Sequence, residues 1–429
     1  MFFVDEIKTP QMAYSGLDGD LTEEESAFQE TLHKFARDVM RPIGEQLDKL
    51  TAEEVCAEGS PLFDYLNQFK GLGVTPDGLL EMEPQQLARM VPLLQEELGW
   101  GDAGLALLPM VQEFAGFAAS KTGDKELAER FKGVRGCWLA TQPDRGSDLL
   151  DIPGTEIFPG ARHEKANLTA KVDGDGDVVL NGSSSAWVSG APISKCALAY
   201  LPTDFGDGIH RNDGTLRGSV ILVPFDEPGM SLGKPLEKMG QRPLPQGEVI
   251  FDNVRLPKNY MIQDDAAYNK NFFGVLTWAN MEMAGTFTGL GRAAYEHALA
   301  YVHERRQGGT ELINHQSVRL RIYELWELVE VARAVTRRAA NFNFLGSEPH
   351  ILASITAKVR ATENGYEAAH KALQLFGGNG MTREYPMEKL LRDARAALIE
   401  DGENTVLSLS AASHLSDHFK EHGDAYAVS

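Results

Sequence analysis

The sequence predicts an α+β chain in three successive parts: helical, then β, then helical again. Apolar residues recur every three to four positions in residues 1–135 and again in 263–429, the period of amphipathic helices. Between them, residues 136–262 break into short apolar runs separated by Gly, Pro and Asp, the rhythm of strands and turns. A length of 429 residues suits about three domain-sized units.

In the first part, Thr22 stands before Glu23, Glu24 and Glu25, an N-cap followed by an acidic first turn. Phe28, Leu32, Phe35 and Val39 then share one helical face, and the pattern returns over residues 84–91 and 110–119. In the second part, residues 170–172 and 178–180 flank Asp173-Gly-Asp-Gly-Asp, a turn between strands. The runs 196–201, 219–223 and 248–251 continue the series, and Pro143-Asp-Arg-Gly146 reads as a charged turn. In the third part, one long helix is expected from about residue 278 to 306 and another from 317 through 335. Gly285, Gly289 and Gly291 cost the first of these helix propensity, so close helix–helix packing is expected there rather than a phosphate loop.

Composition narrows the function. The formal charge of −21 argues against nucleic acid or an anionic membrane as partner. No uninterrupted apolar run approaches the length of a membrane span, and the first residues, soon acidic, lack the pattern of a secretory signal. Cys56, Cys137 and Cys196 are widely spaced, with no Cys/His metal spacing, so reduced thiols, no metal and a cytoplasmic setting are expected.

Two stretches near the C-terminus carry more. One reads Gln374-Leu-Phe-Gly-Gly-Asn-Gly-Met-Thr-Arg-Glu-Tyr-Pro-Met-Glu-Lys-Leu-Leu-Arg-Asp-Ala-Arg, and the other Ile399-Glu-Asp-Gly-Glu-Asn-Thr-Val. Together with Trp138-Leu-Ala-Thr-Gln-Pro-Asp-Arg-Gly-Ser-Asp148, Asn181-Gly-Ser-Ser-Ser-Ala-Trp-Val-Ser189 and Glu304-Arg-Arg-Gln-Gly-Gly…Asn314-His-Gln316, they resemble the acyl-CoA dehydrogenase flavoproteins over about residues 21–412. The resemblance implies an N-terminal helical domain, a middle β-barrel-like domain and a C-terminal four-helix bundle. It implies FAD as cofactor, an acyl-CoA thioester as substrate, and an electron-transfer flavoprotein as acceptor.

Carried over by motif, the resemblance puts Ala140, Thr141, Gly146 and Ser147 against the flavin, with Ser147 also near the CoA portion. Trp187 would stack near the isoalloxazine, and Ser189 would stand for the Thr that bonds its ring. Arg305 and Gln316 would bind the pyrophosphate and adenosine end across a subunit interface, with Gln374, Gly377 and Gly378 forming the partner-side cradle. Glu403 and Thr405 complete the cofactor set, and Asn280 and Gly402 belong to the substrate side. A cofactor shared in this way implies a homodimer or homotetramer, with a heteromer also open.

The chain departs from the family pattern in several places. Asp401 stands where the family has the Glu that removes the substrate α-proton, one methylene shorter. Asn280 replaces an Arg, Gln142 a Glu and Gly308 an aromatic residue. The Trp187 segment has one extra residue, and residues 151–167 form a longer Pro- and Gly-rich insertion. On local chemistry alone, Asp401-Gly402 is a turn, with Asn404 capping a helix over residues 405–414. Asp401 as base points to an unusual acyl group, alicyclic or branched. Glu282, Glu400 and Glu403 are other acids near the register. A nitroalkane-oxidase type of flavin oxidase and a non-catalytic FAD-binding subunit remain open beside the dehydrogenase.

Overall fold

A computed structural model describes residues 21–151, 165–346 and 348–423. The N-terminal helices are α1 (Glu23–Phe35), α2 (Arg41–Leu47), α3 (Ala52–Cys56), α4 (Pro61–Gly71), α5 (Pro76–Leu80), α6 (Pro84–Gly101), α7 (Ala103–Lys121) and α8 (Lys125–Phe131). Thr22 caps α1 as its side chain predicts: Thr22 Oγ1 accepts from the Glu25 amide at 3.2 Å, and Glu25 Oε2 accepts from the Thr22 amide at 2.9 Å. One π turn, Ala36–Met40, joins α1 to α2. By length and composition α7 could cross a membrane, which the absence of an unbroken apolar run did not anticipate. Its Leu105, Leu108, Ala115 and Ala119 are instead fully buried in the protein core.

The β region contains β1 (Gly136–Leu139), β2 (Leu168–Val172), β3 (Val178–Ser183), β4 (Val188–Ser189), β5 (Cys196–Asp204), β6 (Gly218–Pro224), β7 (Met230–Leu232), β8 (Gln246–Gly247), β9 (Val249–Leu256) and β10 (Met261–Gln263). Eight of these form one curled sheet in the order β10-β6-β5-β2-β3-β9-β7, with β1 also on β5; β4 and β8 pair separately. β5 is the axis. It runs antiparallel to β6, and along its other edge β1 pairs with Cys196–Ala199 while β2 pairs with Thr203 and Asp204, both in parallel. β6 is buried along its whole length and β5 along all but its last residue, which is why both read as continuous apolar runs rather than alternating ones.

The C-terminal part is α9 (Asp265–Glu304), the hairpin β11 (Arg306–Gln307) and β12 (Thr310–Glu311), then α10 (Gln316–Leu345), α11 (Ile351–Phe376), α12 (Met387–Ala396) and α13 (Asn404–His422). α9 begins thirteen residues before the expected start near 278, because Asp264 caps it through the Ala266 amide. Its glycines do pack closely against α6. A Cβ on Gly289 would lie 2.0 Å from the Glu96 carbonyl oxygen, and one on Gly285 would lie 2.5 Å from Gln95 Cβ.

What locks these helices together leaves no mark in the apolar periodicity. Glu96 and Glu97 on α6 are fully buried. Arg292 bonds both, at 2.8 Å to Glu96 and 2.6 Å to Glu97, while Arg333 and Arg337 from α10 reach Glu96 at 2.7 and 2.8 Å. Burial alone would push both carboxyls up, but the guanidinium charges overcome it and hold them below the usual carboxylate range.

Candidate functional site

The segment after β1 is stitched in place by its own side chains. Thr141 Oγ1 lies 2.7 Å from Ser185 Oγ, and the Ser185 amide donates to the Thr141 carbonyl at 2.9 Å. Gln142 accounts for its own substitution: its amide donates to the Leu168 carbonyl and accepts from the Leu168 N–H, both at 2.9 Å. A Glu there would lose the donor half. The extra residue before Trp187 is absorbed by Ser184, whose amide and hydroxyl pair with the Val249 carbonyl and amide at 2.9 Å each. Trp187 is left 62% exposed, an open indole face beside the Thr141 loop. Ser189 Oγ accepts from Gln246 Nε2 at 3.1 Å.

That loop meets the C-terminal helices at Asp401. Ser147 Oγ accepts from the Glu403 amide at 2.9 Å, and Asn280 Nδ2 donates to the Asp401 carbonyl at 3.1 Å. Asn280 is fully buried and its Oδ1 has no partner. Thus Ala140, Thr141, Gly146, Ser147, Asn280, Asp401, Gly402, Glu403 and Thr405 belong to one region, although residues 147 and 403 are far apart in the chain. Asp401 takes φ +50°, a left-handed conformation that Asp tolerates better than most residues. Neither its amide nor that of Gly402 donates to another described residue.

Asp401 keeps part of its surface accessible while protein surrounds most of the carboxyl. The resulting desolvation pushes its pKa up, and Lys358 opposes the shift. Lys358 was not singled out from the sequence, although it lies on the buried stripe of α11 with Ile351, Ser354, Ala361 and Gly365, where a cation is out of place. It is fully buried, and its Nζ donates to the Gly402 carbonyl at 2.8 Å and to Asn404 Oδ1 at 2.7 Å. Asn404 therefore does not cap α13. Glu403 does, accepting from the Thr405 and Val406 amides at 2.9 and 3.1 Å, because Asn404 is turned inward to Lys358 and Thr362. Glu400 accepts from Gln241 Nε2 at 2.8 Å and is thereby committed elsewhere.

A cavity of about 1170 Å3 lies among α6, α7, β5, β6 and α9. Leu94, Leu98, Met110, Phe114 and Trp278 make its wall apolar, and Glu282 is part of that wall. Burial, with the Asp401 charge adding to it, pushes the Glu282 carboxyl up to about 8. The cavity thus sits within electrostatic reach of Asp401.

Arg305 and Gln316 are exposed and lie elsewhere. Asn280 lies on α9 and Arg305 immediately follows its last residue, and at 1.5 Å per residue the 25 steps between them span about 37 Å. Gln374, Gly377 and Gly378 are exposed near Arg305: Tyr301 stacks on Phe376 at 4.0 Å, and Asn379 bonds the Tyr301 hydroxyl at 2.9 Å. The loss of the aromatic at Gly308 has a local cause. Gly308 and Gly309 turn the β11–β12 hairpin at φ +69° and +88°. The structure therefore brings the expected residues together in two groups, one around Asp401 and one around Arg305. Of the 151–167 insertion, residues 152–164 lie outside the described residues.

These groups fit a flavin nucleotide. The first offers an exposed indole with the Thr141 hydroxyl beside it, and the second an exposed guanidinium with glycine backbone nearby.

Residues 137–254 match the acyl-CoA dehydrogenase middle domain and 272–415 its C-terminal domain, together more than half of the chain. The short-chain specific mitochondrial acyl-CoA dehydrogenase of Rattus norvegicus is 28% identical over 410 residues, 92% of this chain and 91% of that protein. The butyryl-CoA dehydrogenase of Megasphaera elsdenii superposes with a TM-score of 0.76 at 22% identity, over 93% of this chain and 100% of that one. A glutaryl-CoA dehydrogenase of Mycobacterium smegmatis in complex with FADH2 gives 0.75 at 21% identity, covering 92% and 95%. From these domain matches, the chain belongs to the acyl-CoA dehydrogenase family.

Proposed function

We propose that this enzyme is an FAD-dependent acyl-CoA dehydrogenase that forms an α,β-double bond in an acyl-CoA thioester, with Asp401 as the base. The observation that carries this reading is the Asp401 turn. It presents a desolvated carboxyl with a raised pKa, and leaves the Asp401 and Gly402 amides without a described acceptor. The bond change is balanced: the α-hydrogen leaves as a proton to Asp401, and the β-hydrogen leaves with its electron pair. Bound FAD supplies the acceptor for that hydride, and an electron-transfer flavoprotein is the proposed next carrier.

The α-proton of a thioester is weakly acidic, so charge developing on the thioester oxygen needs donors placed in advance. The free Asp401 and Gly402 amides are suited to that task. Lys358 holds the turn through the Gly402 carbonyl, and Asn280 holds it through the Asp401 carbonyl. Thr141, Ser147, Trp187 and Ser189 line the flavin side. Because Asp is one methylene shorter than Glu, the thioester must sit closer to the backbone, and a mismatch of about 1 Å can cost roughly a hundredfold. A branched or alicyclic acyl group fits that displaced position.

Anaerobic mixing with straight, branched and alicyclic acyl-CoA thioesters should bleach the flavin. Asp401→Asn should slow bleaching by about 10²–10⁴-fold, the usual contribution of a general base. Bleaching at the wild-type rate in that variant would reject Asp401 as the base. Rapid oxygen consumption with a nitroalkane, and none with any acyl-CoA, would favour an oxidase instead.

A further inference from the structure

The Glu282 carboxyl has no place in that mechanism. Glu282 lies on the cavity wall, and its carboxyl makes no hydrogen bond with any described residue. Thr286, four residues on, lines the cavity from the same face of α9. Gln95 lines the same cavity from α6: it is 8% exposed, and its side-chain oxygen has no partner. Gly285 makes this convergence possible, since a Cβ there would fall 2.6 Å from Gln95 Oε1. Glu282 and Gln95 thus line one cavity together with Leu94, Leu98 and Trp278.

Resting on the acyl-CoA reading, we infer that the cavity takes an acyl group bearing a hydroxyl, recognised by the Glu282 carboxyl and the Gln95 amide. A buried polar group left unpaired keeps its desolvation penalty uncompensated, and a plain hydrocarbon chain would leave both side chains in that state. A hydroxyl donates one hydrogen bond and accepts another, which pairs it with each. The raised pKa agrees with a neutral partner: a protonated carboxyl donates to a hydroxyl oxygen but does not form an ion pair with an ammonium. The Thr286 hydroxyl adds a third polar group to the same cavity.

The test uses the FAD-loaded enzyme and pairs of acyl-CoA thioesters that differ by one hydroxyl, moved along chains of graded length. For at least one position, the wild type should bleach faster with the hydroxylated member, by about tenfold or more in kcat/KM. Glu282→Leu and Gln95→Leu should each draw that ratio toward one. Calorimetry on the Asp401→Asn holoenzyme reads the same preference as a ratio of Kd values without turnover.

Absence of any hydroxyl preference in the wild type overturns the inference and leaves the dehydrogenase reading intact. So does an equal loss for both members in Glu282→Leu, which would place Glu282 at the reacting carbon instead. If no acyl-CoA bleaches the flavin or binds, the dehydrogenase reading falls and this inference with it.

Discussion

Asp401 and Lys358 form a pair whose two roles can be separated by pH. A base works only when deprotonated, so activity should fall as pH drops through the raised Asp401 pKa. Lys358 opposes that rise, so removing its charge moves the pKa further up. In Lys358→Met, the acidic limb of the kcat/KM profile should therefore shift to higher pH. A purely structural lysine would lower the plateau without moving the limb. The same change leaves the Gly402 carbonyl without its Nζ donor and costs roughly 1–3 kcal/mol of stability, read by denaturant titration. Burial lowers the Lys358 pKa to about 8, so the folded chain binds fewer protons than the unfolded one between about 8 and the ordinary lysine range. Its contribution is therefore least favourable below pH 8 and improves as pH rises.

Among the elements, α9 has to satisfy the most demands at once. It meets α6 through Gly285 and Gly289, carries Asn280 to the Asp401 turn, and brings Glu282 to the cavity. Gly289→Ala would place a methyl group 2.0 Å from the Glu96 carbonyl oxygen, against backbone that cannot rotate away. We expect a loss of about 1–3 kcal/mol or more, measured by denaturant unfolding, with weaker flavin retention as α6 and α9 separate. Glycine within an apolar helical period made this contact legible from sequence. The length of α9 was not, because its start depends on a single Asp264 side-chain bond outside the apolar pattern. The cap of α13 was misread for a related reason. Asn404 and Glu403 are both adjacent to the helix start, and only the buried Lys358 determines which one turns inward.

At the scale of the molecule, the two groups of cofactor residues lie about 37 Å apart along one helix, too far for one chain to close both around one dinucleotide. We propose that a second copy supplies the other group, and complementation tests this. Asp401→Asn and Arg305→Ala homodimers should each be deficient, the first in bleaching and the second in FAD binding. Co-expressed at equal levels, half the dimers are mixed and half of their sites intact, so about a quarter of wild-type bleaching should return. No recovery would show that each site draws on one chain alone.

The order of helical and β regions, the glycine packing and the cofactor motifs are local or periodic properties, so the sequence carried them on its own. Three other features needed residues distant in the chain to meet. The Glu96–Arg292–Arg333 lock joins three helices, and Lys358 reaches across to Gly402. Glu282 and Gln95 come to line one cavity only once α6 has settled against α9. Spacing along a chain records which face a side chain occupies, but not which other face it will be buried against, and in this protein that second choice sets the chemistry of the pocket.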